Sequence, residues 1–323
     1  MMSLIGINQQ TFVSEPDETI LQCLERNNCA PPSSCRSGMC HTCMMRSVGG
    51  PPPPNSQAGL KESLQQQNYF LSCICVPNDN MEVGYADAAA TPSTSIVLTE
   101  KTLLSPSIMR LRFTTDQAYE YRAGQFTNLF KDEHLTRSYS IASVPDVDDF
   151  LEFHIEKIPN GKMSSWIFDE LSVGTELKIS EPLGECYYSD DNKESNMLLV
   201  ATGSGLAPVY GVLRDALNRS HKGEIHLYHG ASIRDKLYLV DEISAIAKKY
   251  KNVHYTPSLS KDESGNIEQG RANELALNNH KDLKNWRIYL CGHPEMVSST
   301  KRKAFLAGAA LNDIHADPFE FAK

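Results

Sequence analysis

The cysteines of this 323-residue chain are unevenly placed, because seven of the nine lie in the first quarter of the sequence. Cys35, Cys40 and Cys43 follow a C-x4-C-x2-C pattern, and Cys73 comes after a long gap. A disulfide scaffold would spread its cysteines over the domains that it stabilises, and this chain does not. Thiolates are strong metal ligands. The pattern therefore predicts a metal centre near the amino terminus.

The spacing also indicates which metal is bound. Three thiolates from one loop with a distant fourth are typical of a plant-type [2Fe–2S] centre. Zinc is the alternative, but structural zinc sites favour paired C-x2–4-C motifs, and only Cys40 and Cys43 form such a pair. A Rieske centre would need two histidines, and His41 stands alone here. On spacing alone the fourth ligand stays open between Cys73 and Cys75.

Three further segments carry residues that suit phosphate-bearing cofactors. Arg137-Ser138-Tyr139-Ser140 combines a guanidinium, an aromatic ring and hydroxyls, although an ordinary barrel surface has the same composition. The segment from Asn160 to Ser164 begins a helical pattern, and the free N–H groups of a helix start bind phosphate. In the last third, an apolar strand enters a glycine-containing turn from Gly203 to Pro208, and glycines there let a pyrophosphate approach the backbone.

The elements around these motifs divide the chain into three predicted domains. A run of small residues from Tyr85 to Thr94 predicts a linker, and a polar segment at 189–196 predicts a second boundary. Period-two patterns in the middle block predict an antiparallel barrel, whereas alternating strands and helices beyond 197 predict a parallel sheet. We therefore expect a multidomain α+β protein with domains at 1–88, 93–192 and 193–323.

The first domain resembles the plant-type ferredoxins, which have a β-grasp fold. The resemblance rests on the three clustered cysteines and on Leu71-Ser72-Cys73, because the fourth cysteine of that family follows a Leu-Ser or Leu-Thr pair. It implies a 2Fe-2S cluster whose fourth ligand is Cys73. Cys75 would share the strand face of Cys73 and lie near the cluster without binding it. The implied metal ligands are Cys35, Cys40, Cys43 and Cys73.

The middle block is similar to the flavin-binding barrel of the ferredoxin–NAD(P)+ reductase superfamily. Residues 137–140 match its R-x-Y-S signature. The resemblance implies that Arg137 pairs with the FAD pyrophosphate, Tyr139 stacks on the flavin ring and Ser140 lies near flavin N5. A pyrophosphate turn is implied at Gly161, Lys162, Met163 and Ser164. The alternating His154 and Glu156 predict a solvent-facing strand surface.

The last block resembles the nicotinamide-binding domain of the same superfamily. Its turn reads G-x-G-x-x-P, which implies that Gly203, Ser204, Gly205 and Pro208 bind NADH or NADPH. Cys291 and Gly292 begin a C-G-x-P motif whose cysteine lies beside the reactive nicotinamide carbon. Ser140 and Cys291 are thus the implied catalytic residues. The ending Asp317-Pro318-Phe319 resembles relatives in which the aromatic residue lies near the flavin.

The three resemblances together cover nearly the whole chain and imply one electron path. NAD(P)H would reduce FAD, and the 2Fe-2S cluster would pass single electrons to an acceptor protein, as in the reductase components of oxygenase or hydroxylase systems. Alternatives are an acceptor such as a deoxysugar dehydrase, a redox-sensing module without turnover, or a zinc-structured amino-terminal domain. In the segment after the second parallel strand, Arg234 stands beside Asp235, so the sequence does not decide whether NADH or NADPH is the electron donor. We favour NADH.

Composition excludes two other classes. The net charge is −9 and no Lys/Arg-rich run occurs, so we expect no nucleic-acid partner. No apolar stretch approaches the length of a bilayer span, and the amino terminus lacks a signal-peptide pattern. We therefore expect a cytoplasmic protein, where thiols stay reduced, and a monomer.

Overall fold

The computed structural model describes residues 2–87, 90–132, 135–262, 265 and 267–319, which form three sheets. The first sheet has the order β2-β1-β5-β3-β4, in which only the β1–β5 pair is parallel. Its helix begins at a capping box, where Thr19 and Gln22 bond each other's backbone N–H groups. This β-grasp unit comprises β1 Leu4–Ile7, β2 Gln10–Val13, α1 Ile20–Arg26, β3 Met44–Ser47, α2 Glu62–Gln65, β4 Tyr69–Leu71 and β5 Met81–Tyr85.

The second sheet is antiparallel, with the order β10-β7-β6-β11-β8-β9. A bridge between Ile141 and Phe153 joins its two ends, so the sheet closes into a barrel. Alternate residues such as Leu111 and Phe113 fill the interior, as the period-two pattern predicts. The barrel comprises β6 Ser93–Ser105, β7 Ile108–Thr114, β8 Phe126–Phe130, β9 Thr136–Ser140, β10 Leu151–Glu156, α3 Lys162–Asp169 and β11 Glu176–Ser180.

The third sheet is parallel throughout, with the order β15-β14-β13-β12-β16-β17. Its central strands are apolar on both faces because helices cover both sides. The domain comprises β12 Met197–Thr202, α4 Leu206–Asn218, β13 Ile225–Ala231, α5 Val240–Lys249, β14 Val253–Leu259, β15 Glu268–Gln269, α6 Ala272–Asn279, β16 Arg287–Gly292, α7 Pro294–Leu306 and β17 Ile314–Pro318. The predicted α+β class with three sheets is confirmed.

Side-chain contacts join the barrel to the parallel domain. Arg214 on α4 makes two hydrogen bonds of 2.8 and 2.7 Å with the carboxylate of Asp148. Tyr238 lies 3.3 Å from the ring of His154 on β10. Among the residues that the structure describes, none of the helices combines the length and the apolar character that crossing a bilayer requires.

Candidate functional site: a cysteine loop and a cavity between three domains

The loop from Cys35 to Cys43 presents backbone N–H groups to a sulfur. The amides of Ser37, Met39 and Cys40 donate to Cys35 Sγ over 3.5, 3.3 and 3.3 Å. Gly38 allows this path, because its φ of +80° lies in the left-handed region. A hydrogen bond from the Cys40 thiol is the main cause that lowers the pKa of Cys35 to about 4. At Cys35 the loop thus favours the thiolate, which is the form that binds iron, whereas the same contact raises the pKa of Cys40.

The four predicted ligands form two contacting pairs. Cys35 contacts Cys40, whose Sγ also accepts from the Cys35 amide at 3.4 Å. Cys43 contacts Cys73, and the hydrogen bond between their thiols lowers the pKa of Cys73 and raises that of Cys43. Four sulfurs in two pairs, with amide donors around them, suit a two-iron cluster that takes two thiolates per iron. The residues present therefore fit a 2Fe-2S group.

Cys75 does not share a strand face with Cys73, so that expectation is wrong. Strand β4 ends at Leu71 and a turn follows, which sends the two side chains in different directions. Cys75 is fully buried in the core with Ile5 and Phe70, and this burial raises the pKa of its thiol to about 11. The spacing left Cys73 and Cys75 as alternatives for the fourth ligand, and the structure places only Cys73 beside Cys43.

A cavity of about 400 Å³ lies where the three domains meet. The cysteine loop forms one wall, the barrel strands β8 to β10 and the start of α3 form a second, and the parallel domain forms the third. Its mixed polar and apolar walls suit a cofactor that combines an aromatic ring with phosphate groups. The lining residues include Ser34, Cys35, Met39, Cys40, Phe126, Arg137, Ser138, Tyr139, Ser140, His154, Glu156, Gly161, Lys162, Met163, Ser164, Ser204, Ala207, Asp317 and Phe319.

The four residues of the R-x-Y-S segment all line this cavity. They lie on β9, and Arg137 donates to the carbonyl oxygens of Ser33 and Thr136 at 3.3 and 2.7 Å. Burial raises the pKa of the Tyr139 phenol, so that ring is neutral at physiological pH. An arginine, a neutral aromatic ring and a hydroxyl thus face one space, although the arginine also holds the cysteine loop.

The predicted pyrophosphate turn reaches the same cavity. Gly161 is the N-cap of α3, and the following residues Lys162, Met163 and Ser164 form its first turn. The Ser164 hydroxyl donates to the Gly161 carbonyl at 3.3 Å and accepts from the amide of Ile158 at 3.1 Å. A Cβ at position 161 would lie 2.6 Å from this hydroxyl, so the turn needs glycine. These residues fit the phosphate end of a dinucleotide.

The predicted nicotinamide turn follows β12 at the carboxyl edge of the parallel sheet. Gly203 has a φ of +55°, and a Cβ on Gly205 would lie 2.4 Å from the carbonyl oxygen of Cys291. The two predicted motifs therefore lie in direct contact. Ser204 and Ala207 line the cavity, whereas Gly203, Gly205, Pro208 and Gly292 are not among its lining residues.

The predicted catalytic thiol is deeper than the cavity surface. Cys291 is fully buried, and its Sγ lies 3.3 Å from Cys186 Sγ. Burial, followed by this contact, raises the pKa of the Cys291 thiol well above its usual value. A thiol whose pKa is raised stays neutral, and the neutral form is a poor nucleophile. Its role in hydride transfer stays a prediction.

The carboxyl-terminal strand β17 carries a residue that the sequence-based site list missed. Asp317 lines the cavity, and its Oδ2 accepts a hydrogen bond of 3.3 Å from Ser140 Oγ. Burial raises the pKa of this carboxyl group to about 7. Asp317 can therefore hold a proton next to the predicted catalytic serine. Phe319 follows it into the cavity, and its amide donates to the Gly292 carbonyl at 2.8 Å.

The expectation of a solvent-facing strand at His154 is wrong. His154 is 3% exposed because the parallel domain covers this face of the barrel. Its Nε2 lies 2.9 Å from Glu152, which also pairs with Arg112 at 2.6 Å. Burial opposes the ionisation of Glu152, but these two partners lower its pKa to about 2. Glu156, predicted to be solvated as well, lines the cavity.

Contacts between the cysteine loop and the barrel were also missed by sequence reasoning. Asn128 is 4% exposed and donates from Nδ2 to the Cys40 carbonyl at 2.8 Å. Ser138 bonds Ser34 Oγ and also donates to Asn128 Oδ1 at 2.8 Å. These partners are up to 104 positions apart in the chain, and no local motif encodes such pairs.

Fold and site together define an iron–sulfur flavoprotein that reacts with a nicotinamide. Three family models match the chain: the 2Fe-2S iron-sulfur cluster binding domain at residues 5–78, the oxidoreductase FAD-binding domain at 95–188 and the oxidoreductase NAD-binding domain at 199–302. Each match lies within one of the three predicted domains.

Complete proteins match along their whole length. The reductase component of the naphthalene 1,2-dioxygenase system of Pseudomonas putida is 33% identical over 99% of this chain and 98% of its own. A CDP-6-deoxy-L-threo-D-glycero-4-hexulose-3-dehydrase reductase of Yersinia pestis is 27% identical over 95% of both chains. The crystal structure of an Amycolatopsis cytochrome P450 reductase superposes with a TM-score of 0.71 at 25% identity, over 98% of both chains.

The chain therefore belongs to the family of ferredoxin–NAD(P)+ reductase components that join a 2Fe-2S domain to FAD-binding and NAD-binding domains. It is an NAD(P)H-dependent oxidoreductase that passes electrons to a protein acceptor. FAD takes the two electrons of a hydride and releases them singly, and the 2Fe-2S cluster carries one electron at a time. The predictions of the enzyme class and the cofactors are confirmed.

Proposed function

We propose that the acceptor is the oxygenase or hydroxylase component of a multicomponent oxygenase system. The observation that carries this proposal is the full-length similarity to the naphthalene 1,2-dioxygenase reductase component. The cysteine loop supports it physically, because one side of the loop lines the flavin cavity and Met39 in the loop is 42% exposed. The loop thus lies between the cavity and the exposed residues Arg36, Ser37 and Met39, which a partner can contact.

We also propose the residue roles within the site. Cys35, Cys40, Cys43 and Cys73 hold the cluster. Arg137, Tyr139 and Ser140, together with residues 161–164 and Phe319, bind FAD. Residues 203–208 and the Cys291–Gly292 motif bind the nicotinamide nucleotide, with Ser140 and Cys291 beside the hydride path. Shared lining of one cavity supports the flavin set, and the contact between Gly205 and Cys291 supports the nicotinamide set.

The cluster assignment is tested by replacing Cys73 with serine and comparing it with Cys75→Ser. Cys73→Ser should remove the cluster absorption and the one-electron reduction of cytochrome c, and should keep NADH oxidation by a two-electron dye that reacts at the flavin. Cys75→Ser should keep both activities, because its thiol lies in the core with Ile5 and Phe70. Loss of the cluster in Cys75→Ser with retention in Cys73→Ser would reverse the ligand assignment.

A deoxysugar dehydrase is the second candidate acceptor, because a dehydrase reductase matches 95% of the chain. Purified reductase is incubated with NADH and, in turn, with an aromatic dioxygenase system and with a deoxysugar dehydrase. Rapid reduction of the dioxygenase components and slow reduction of the dehydrase supports the first candidate. The reverse order of rates would favour the second, and cytochrome c reports whether the reductase itself is active.

We propose NADH as the preferred donor. In the segment after β13, where an NADPH enzyme needs cations for the 2′-phosphate, carboxylates lie beside the candidate cation Arg234. Asp262 accepts from the backbone N–H of Arg234 at 2.8 Å, and Asp235 is the next residue. A carboxylate there repels a phosphate and suits a ribose hydroxyl. The ratio of kcat/KM for NADH and NADPH tests this, and a ratio below one contradicts it.

We propose that the protein acts as a cytoplasmic monomer. None of its nine cysteines, all of which the structure describes, forms a disulfide, as a reducing compartment allows. All three domains of one chain contribute residues to the cavity. Light scattering of the holoenzyme at micromolar concentration tests the oligomeric state, and a dimer mass would contradict the proposal. Fractionation of cells tests the compartment.

A further inference from the structure

Three histidines and a glutamate gather on the parallel domain at the edge opposite the nicotinamide turn. Glu224 immediately precedes β13, and His226 is the second residue of that strand. His254 lies on β14 in direct register with His226. Side chains two residues apart on a strand share a face, so these three groups lie on one side of the sheet. His280 follows α6 and contacts the ring of His226.

The side chains of Glu224, His226 and His254 converge. Each of the three offers one ligand atom, and these atoms all lie within 4.8 Å of one another. The rings of His226 and His254 stack at 4.5 Å with an angle of 17° between their planes, and His254 Nε2 lies 2.6 Å from Glu224 Oε2. A metal ion in this position would replace that hydrogen bond with two coordination bonds.

The surroundings hold the ring of His226 in place and leave its nitrogen atoms available. Among the described residues, its ring nitrogens have no hydrogen-bond partner, whereas His280 bonds Tyr228 at 3.1 Å. Trp286 packs against the rings of both His226 and His280 and fixes their orientation.

We propose that Glu224, His226 and His254 form a Zn²⁺ site separate from the iron–sulfur centre. Two imidazoles and one carboxylate are a donor set that zinc prefers, and the partial exposure of Glu224 and His254 leaves the remaining position to water. Mg²⁺ and Ca²⁺ need mainly oxygen ligands and are excluded. The ion would join the start of β13 to the start of β14.

The site lies at the edge of the sheet opposite the predicted nicotinamide turn. In a parallel sheet all strands begin at one edge and end at the other, and the nicotinamide turn follows the end of β12. The seven residues of β13 rise about 3.3 Å each, which separates the two edges by roughly 20 Å. Zinc bound at Glu224 should therefore leave electron transfer to cytochrome c unchanged.

Titration of the holoenzyme with Zn²⁺ tests the proposal. After treatment with a mild chelator that leaves the cluster absorption intact, calorimetry should show one Zn²⁺ per chain, and Mg²⁺ should show no heat. His226→Gln and Glu224→Gln should each weaken binding at least about tenfold, because even outer-shell changes cost that much at metal sites. His315→Gln is the matched control, since its ring bonds the Glu185 carbonyl on the other side of the sheet and should keep full affinity.

The variants are checked by flavin and cluster absorption, so a misfolded protein is recognised. Absence of Zn²⁺ binding to the folded wild type overturns the proposal. Equal affinity in the wild type and in both variants also overturns it, because the ion then binds elsewhere. An anomalous-scattering peak at the zinc edge between His226 and His254 would support it directly.

Discussion

Replacing Asn128 with leucine should uncouple the iron–sulfur domain from the flavin barrel. Asn128 Nδ2 donates to the carbonyl of Cys40, the residue that we assign to the cluster, and its Oδ1 accepts from Ser138. Leucine has a similar size but can form a hydrogen bond with neither the Cys40 carbonyl nor the Ser138 hydroxyl. Ser138 retains its contact with Ser34 Oγ, so the main loss is the bond to the Cys40 carbonyl.

The magnitude follows from the burial of this hydrogen bond. Leaving a buried acceptor without a partner costs about 1–3 kcal/mol. Since about 1.4 kcal/mol is a factor of ten, the equilibrium between docked and undocked loop shifts by a factor of roughly 5 to 150. Electron transfer from the cavity to the cluster requires the docked loop. Cytochrome c reduction should therefore fall by up to this factor, while reduction of a dye at the flavin stays unchanged.

The assay measures both reductions with NADH on the same preparation and reports their ratio. Thr127→Val is the control, because Thr127 is fully buried on the same strand but its hydroxyl donates to Ser180 within the barrel, at 2.8 Å. This variant should lower the stability of the barrel without changing the ratio. If Asn128→Leu leaves the ratio at the wild-type value, or if both reductions fall equally, the docking argument is refuted.

Two further predictions concern the cavity. Asp317→Asn should change the pH profile of flavin reduction. Because the pKa of Asp317 is raised to about 7, the wild-type carboxyl group loses its proton as the pH rises through that value, and the rate of flavin reduction should fall there. The asparagine variant has no such proton to lose, so its rate should not fall over this range. Stopped-flow reduction by NADH between pH 5.5 and 8.5 measures both profiles, and identical profiles would contradict the role of Asp317. Gly205→Ala should raise KM for NADH at least about tenfold with the flavin retained, because the added Cβ would lie 2.4 Å from the Cys291 carbonyl oxygen and shift the turn. Steady-state kinetics on a preparation with a normal flavin spectrum measures this KM. An unchanged KM would show that the turn tolerates a side chain.

The motifs that were predictable from the sequence are those whose parts are close together in the chain. The three clustered cysteines, the R-x-Y-S segment and the glycine turn at 203–208 depend on local backbone geometry, so their spacing reveals them. The position of Cys75 was not predictable in this way, because the turn after Leu71 interrupts the period-two pattern of the strand. A strand pattern gives the face of a side chain only as far as the strand continues.

The partners of the site across domain boundaries needed the structure. His154 alternates with apolar residues as a solvated position does, yet Tyr238 of another domain covers it. Asp317 is one acidic residue near the end of the chain, and only the pairing of β17 with β16 brings it to Ser140. Contacts between residues more than 100 positions apart depend on how the domains dock, which no local pattern encodes.

The way in which the barrel holds the cysteine loop has a consequence for exchanging domains between reductases. Arg137 and Asn128 donate hydrogen bonds to the main-chain carbonyl oxygens of Ser33 and Cys40, respectively. These contacts between the barrel and the loop therefore do not depend on which side chains the loop carries. A foreign ferredoxin domain whose loop follows the same path would offer the same acceptors. Chimeric reductases should therefore keep their internal electron transfer and take their partner preference from the transplanted domain.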